Sequence, residues 1–230
     1  MPVPTMSGPA SPTLLRHLGQ GNRRQSYSLV SEQAPKLCLQ ITGSVTLDLC
    51  GRSLSGLHIV AADPTRSKQT QCTVMNGSIW GPVRTEGLGS VRLHRLVICE
   101  GLQLRGCGKA EVISSIILPV PGLPAILCTA QPNNAEEKIN AGLSMYNVYV
   151  PGVEAKSCCI LEAHGLRCVR LYAIRSDHLA ASMHVFGCSN VILDSCFGTL
   201  IQSDCTGHVL QNCAKSFPHS AAPHVGECDV

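Results

Sequence analysis

Hydrophobic residues along this chain fall at every second position in short runs, and each run stops at a glycine or a small polar residue. In "SVTLDLCGRSLSG" (44–56), Val45, Leu47 and Leu49 alternate with polar neighbours before Gly51 and Gly56 break the pattern. "CTVMNGSIWG" (72–81) repeats it, with Gly77 in the middle and Gly81 at the close. Period-two alternation marks a β-strand with one face buried, and Gly and Asn supply the turns between strands.

The unit apolar–x–apolar–x–turn–small recurs eight times: "VTLDLC" (45–50), "CTVMNG" (72–77), "VRLHRL" (91–96), "AEVISS" (110–115), "LSMYNV" (143–148), "VRLYAI" (169–174), "VILDSC" (191–196) and "HVLQNC" (208–213). The starts lie 27, 19, 19, 33, 26, 22 and 17 residues apart. Such a variable period fits solenoid coils with loops of different length. The longest interval holds "QPNNAEEKIN" (131–140), a polar loop that can leave one coil without disturbing the stack.

Read as columns, the repeats agree more closely than as rows. Column one is Val45, Cys72, Val91, Ala110, Leu143, Val169, Val191 and His208. Column three is Leu47, Val74, Leu93, Val112, Met145, Leu171, Leu193 and Leu210, apolar throughout. Column five carries the turn residues Asn76, Ser114, Asn147, Ser195 and Asn212, and column six adds Cys50, Leu96, Val148, Ile174, Cys196 and Cys213. Columns one and three are expected inside, two and four outside, with Cys50, Cys196 and Cys213 buried. Between the units sit second apolar segments, "GLHIVA" (56–61), "GLQLRG" (101–106), "SMHVFG" (182–187) and "GTLIQS" (198–203). Two or three short strands per coil describe an all-β parallel β-helix over residues 37–215, single-stranded and right-handed, of about seven to eight coils. An antiparallel sandwich leaves the fixed order of the columns unexplained.

With those residues in view, "VTLDLCGRSLSG", "TVMNGSIWG" and "NVILDSCFGTLIQSDCTGHVLQNC" (190–213) resemble the right-handed parallel β-helix repeat proteins of the pectate-lyase-like superfamily. An opening coil in that family often reads "LDLNGHTISG", followed by "NGTIRG". Here Cys50 stands where the asparagine would be, and Arg52-Ser53 replaces His-Thr. The resemblance implies the fold for residues 37–215. It implies activity weakly, because the family spans lyases, hydrolases, epimerases, phage spikes and inert scaffolds.

The family's glycan-cleaving members line an outer groove with carboxylates, often with an arginine or lysine. Asp48, Asp177, Asp194 and Asp204, with Arg170 or Arg175, are the matching candidates. Polygalacturonase-like enzymes would show "NTD", "DDC", "GHG" and "RIK" in order, and this chain offers "SDC" (203–205) and "TGH" (206–208), adjacent to each other. The arginine-finger stretch of the tubulin-folding cofactor C type is matched by nothing better than "AIRSDH" (173–178). The expected function is therefore a non-catalytic scaffold presenting an elongated surface to a glycan or a protein, as in a viral or surface structural protein. The alternative is a polysaccharide lyase or glycoside hydrolase of the superfamily, with no catalytic residue assigned.

Column four reads Asp48, Met75, His94, Ile113, Tyr146, Tyr172, Asp194 and Gln211. Parallel stacking about 4.8 Å apart brings Tyr146, Tyr172 and Asp194 together on three coils, with Arg170 facing the same way. Phenol rings beside a carboxylate and a guanidinium form the expected ligand-binding stripe.

Composition narrows the rest. Charged residues make up 14% of the chain and aromatics 3%, and the net charge is +3. Neither a concentrated basic face nor interleaved aromatics points to nucleic acid, so none is expected as a partner. Residues 1–30 carry no secretory pattern, and the best apolar run, "IILPVPGLPAIL" (116–127), holds three prolines, so no membrane insertion is expected. Fourteen cysteines without an export signal are expected to be mostly free thiols, in a reducing cytoplasmic compartment or a virion. A homotrimer is one assembly expected of short chains of this fold.

The ends read differently. Residues 1–36 form an arm or a cap: "SPTLLRHLG" (11–19) has Ser11 and Pro12 where a short capping helix would start and Gly19 where it would stop. Residues 216–230 are expected to be irregular. Cys213, His219, His224 and Cys228 could be drawn as a zinc site, but their spacing matches no standard finger, and no metal or other cofactor is expected. Cys205 with His208 is a weaker pair still, and Asn76-Gly77-Ser78 is a formal glycosylation sequon that reads better as a turn.

Overall fold

A strand of four to nine residues cannot satisfy its own backbone groups, so each must pair with a strand from the coil before and the coil after. In this chain those pairings build two long parallel sheets. The computed structural model describes residues 36–63, 69–130, 141–151, 158–178 and 180–207, and the strand backbones Thr5–Met6, Thr13–Leu18, Gln25–Leu29, Thr206–Asn212 and Val225–Gly226.

Sheet A runs in the order Thr5–Met6, Gln25–Leu29, Ser44–Asp48, Gln71–Ile79, Ser90–Ile98, Lys109–Ile113, Gly142–Tyr146, Cys168–Tyr172, Ser189–Asp194 and Thr206–Asn212. Beyond a bend, the short strands Ser53–Leu54, Ile116–Ile117, Tyr149–Val150 and Arg175–Ser176 continue it. Sheet B runs Thr13–Leu18, Lys36–Ile41, Gly56–Ala61, Val83–Glu86, Leu102–Arg105, Ile126–Thr129, Cys158–His164, Ala181–Phe186, Thr199–Ser203 and Val225–Gly226. The chain alternates between the sheets, which makes the molecule a parallel β-helix of about six turns, fewer than the seven to eight expected.

The interior is the pair of columns read from the sequence. Val45, Cys72, Val91, Ala110, Leu143, Val169 and Val191 are buried in column one, and Leu47, Val74, Leu93, Val112, Met145, Leu171 and Leu193 in column three. Sheet B contributes Leu57, Val83, Leu102, Ile126, Leu161, Met183 and Leu200 from facing positions in one register line. Polar groups in this dry stack have partners: Ser115 Oγ accepts from Leu96 N at 3.2 Å and donates to Ile113 O at 2.9 Å. The Thr85 hydroxyl pairs with the Cys107 thiol at 3.2 Å.

Two corners repeat down the stack. Column five is the bend in sheet A, where Asn76, Arg95, Ser114, Asn147, Ala173 and Ser195 all take left-handed backbone angles, with φ between 48° and 59°. The residue after each turns back inward, so Leu96, Val148, Ile174 and Cys196 are buried. At the corner after sheet B the left-handed residue is Gly87, Gly106, Gly165, Gly187 or Asp204.

Four expectations need correction. The first coil turns more widely than the others, through Cys50 (φ 50°) and Gly51 (φ 78°), so Leu49 fills the interior and Cys50 is exposed. The last row is shifted by one: Val209 lies beside Val191 and Gln211 beside Leu193, following an irregularity at Ser189–Val191. Asn212 rather than Gln211 therefore ends column four. Thr13–Leu18 is a strand and not a capping helix, because an open sheet edge offers it a full row of backbone partners, from Thr13 on Lys36 to Leu18 on Ile41. In the C-terminal stretch expected to be irregular, Val225–Gly226 pairs antiparallel with Leu200 and Ile201.

Candidate functional site

In-register stacking carries chemistry as well as packing, because every outward column places like positions of successive coils side by side. Column four is continuous from Asp48 through Met75, His94, Ile113, Tyr146 and Tyr172 to Asp194. The Tyr146 and Tyr172 rings stack with centroids 5.1 Å apart and planes 3° from parallel. Asp194 is the next residue in the line, and the exposed Arg170 stands two residues from Tyr172 on the same side of the strand. All four expected site residues thus share one outer face. The rings lie against each other, with Ile113 next in register beyond Tyr146 and Asp194 beyond Tyr172.

The neighbouring column carries an ion-pair ladder. Glu111 accepts from Arg92 Nε at 2.6 Å and pairs with Lys109 Nζ at 2.7 Å. Burial alone would raise the Glu111 pKa, but the bonds from Lys109 and Arg92 outweigh it and hold the carboxyl below its usual value. Around the bend, Val97, Ile116 and Tyr149 line up in an outward strip, with Ser78 next in line, and Trp80, two residues past Ser78, is 60% exposed.

The other acids named from the sequence serve local roles. Asp48 accepts the Cys50 N–H at 2.9 Å and the Asn76 side-chain amide at 3.2 and 3.3 Å, closing the wide first turn. The sequon asparagine is thus a turn residue bonded to its neighbour coil. Asp177 accepts the Tyr149 hydroxyl at 3.0 Å, a bond that raises the Tyr149 pKa. Ser195 donates to Asp194 at 3.3 Å and Ser203 to Asp204 at 3.1 Å. Arg175 sits beside Tyr149 in the bend strip, away from the column-four stripe.

Sheet B presents a second polar cluster that the sequence reading missed. On strand Cys158–His164, Glu162 holds His164 at 2.7 Å. On the next coil, the Ser182 hydroxyl and His184 Nε2 are 2.9 Å apart. Register places Glu162 beside His184, Cys159 beside Ser182, and His164 beside Phe186, whose ring stacks on the imidazole at 4.9 Å. Burial pushes the His184 pKa down, partly opposed by Glu162. Burial likewise pushes the Cys159 thiol up to about 12. The signal available in the sequence was the polar alternation of "LEAH" (161–164) and "SMH" (182–184).

All twelve described cysteines are free thiols. Burial pushes the Cys72 thiol up to about 12 and Cys188 to about 11. Among the described residues no three His, Cys, Asp or Glu side chains gather closely enough to hold a metal ion. Cys213, His219, His224 and Cys228, the loop 131–140 and the His208 side chain lie outside the described residues. No protein-family model matches this chain, and neither a curated protein nor a solved structure matches it.

Proposed function

We propose that this protein is a β-helix scaffold whose sheet A outer face binds a polysaccharide, with Tyr146, Tyr172, Asp194 and Arg170 as the ligand-binding stripe. The observation that carries the reading is the stacked tyrosine pair, with a carboxylate next in line and a guanidinium on the same side. A sugar ring would pack against the solvent-exposed edge of the pair, and Asp194 and Arg170 would bond its hydroxyls. Binding suits this face better than cleavage. Glycoside hydrolysis takes two carboxyls flanking one bond, whereas Asp48 and Asp194 stand at opposite ends of column four and Asp177 lies past the bend. The "LDLCGRSLSG" coil, folded here as a wide turn of the solenoid, supports placing the chain among pectate-lyase-like β-helices.

A glycan array run beside a reducing-sugar and unsaturated-product assay tests the reading. A polysaccharide should bind without being cut, and Y146A/Y172A should lose that binding while keeping its circular dichroism spectrum. A double variant that binds as well as the parent, or an array with no hit, sinks the proposal.

A further inference from the structure

We propose that Ser182 is a nucleophile toward carboxylic esters, with His184 as its general base and the Glu162 carboxylate, beside it on the preceding coil, favouring the imidazolium that forms. The site lies on sheet B and does not depend on the glycan reading of sheet A.

The geometry comes from one strand and its neighbour. Ser182 and His184 are two residues apart on Ala181–Phe186, so both side chains leave the same face, and Oγ lies 2.9 Å from Nε2. That is the separation a nucleophile and its base need. With the imidazole proton on Nδ1, Nε2 is free to accept from the hydroxyl. The groups facing His184 from the preceding coil are Glu162 and His164, with Cys159 opposite Ser182. The following coil presents Thr199, Ile201 and Ser203, none of them titratable. The Phe186 ring meets His184 edge-on at 6.1 Å. Burial favours the neutral form of His184, the form a base requires, while the Glu162 charge favours the imidazolium formed during the reaction. The Cys159 thiol opposite, hydrogen-bonded to Ser182, is kept protonated by burial and donates to Leu161 O at 3.4 Å.

A second observation bears on the same spot. The ladder between these coils slips between Cys159 and Leu161, so Ile160 is an extra residue opposite Ser182–Met183, and both Ile160 and Leu161 point into the core. A bulge interrupts the ladder and frees backbone groups beside it.

In the step inferred, Ser182 Oγ forms a bond to the ester carbonyl carbon, and its proton passes to His184 Nε2. The carbonyl π pair moves onto oxygen. Collapse of the adduct breaks the carbon–alkoxide bond, and the leaving alkoxide takes the proton from Nε2. Water, deprotonated by the same imidazole, then releases the acid and restores Ser182. The sum is ester plus water giving acid plus alcohol. A flat sheet face suits an O-acyl group carried on a larger molecule.

The test is labelling of the full chain by a fluorophosphonate, followed by peptide mass mapping, alongside 4-nitrophenyl acetate hydrolysis. Ser182 should carry the adduct, with labelling that rises as pH passes upward through the His184 titration. H184Q should slow labelling about a hundredfold or more, and S182A should abolish both the adduct and turnover. E162Q should move the midpoint of the labelling profile to lower pH, because it removes the charge that favours the imidazolium. No adduct on Ser182 in the parent chain, or equal labelling in H184Q, overturns the proposal. An unmoved midpoint in E162Q removes Glu162 from it.

Discussion

Ala173 and Gly77 show how much a single backbone angle decides in this fold. Ala173 occupies the left-handed bend with φ 52°, where its Cβ crowds the following carbonyl, at a cost of about 1–2 kcal/mol relative to glycine. Glycine there loses about 0.4–1 kcal/mol through the extra freedom of the unfolded chain. A173G should therefore stabilise the protein by about 0.5–1 kcal/mol in urea unfolding, although it deletes a side chain. Gly77 is constrained by space: a Cβ on it would stand 2.5 Å from both Leu49 Cβ and Arg52 O, where the wide first turn folds over it. G77A should destabilise by about 1–3 kcal/mol. Two residues at the same bend on well-separated coils thus respond to the same swap, run in opposite directions, with the glycine form favoured each time. A173G less stable than the parent would show that the bend is not strained.

Between strands, the ion ladder of Glu111 with Arg92 and Lys109 ties one coil to the next. Its folded pKa lies below the ordinary value of 4.5, so the unfolded chain binds the proton more tightly. The stability it contributes is present above pH 4.5 and is lost as pH falls through the lower folded value. The partners are exposed, so E111Q should cost no more than about 1 kcal/mol at pH 7. The difference between parent and E111Q should shrink as pH is lowered below 4.5, and a gap that stays constant or widens in acid contradicts the ladder. The same scale shows what could be read from residues alone. Columns one and three were legible because apolar positions at period two have nowhere to go but inward, and the Tyr146–Tyr172 pair followed from parallel register. The alternation in "LEAH" and "SMH" showed that Glu162 and His184 face outward but not that they are neighbours, because Ile160 and Leu161 are adjacent and both buried, which shifts the register where the two strands pair. Thr13–Leu18 misled for another reason: Ser11, Pro12 and Gly19 read as helix start and stop signals, and the open ladder edge makes the segment between them a strand.

For the whole molecule, the spacing of its central coils has a further meaning. Cys72, Val91 and Ala110 stand in line, nineteen residues apart at each step, and the register of their strands is unbroken. Strand Val83–Glu86 pairs with Leu102–Arg105 and that strand with Ile126–Thr129 in the same fashion. Each coil touches only its neighbours, so the energy of the stack is a sum over adjacent pairs. Removing residues 90–108 would join Gly89 to Lys109 and set Val74 beside Val112, an apolar pair like the one lost. The shortened chain should fold and keep its circular dichroism signature, with a smaller denaturant m-value because less surface is exposed on unfolding. Removing one residue fewer, 90–107, would turn every following side chain of that strand inside out, and that chain should not fold. Length in this protein is thus a quantity that can be edited in steps of one coil. Gene duplication or loss at that step could lengthen or shorten its outer faces without inventing a new core.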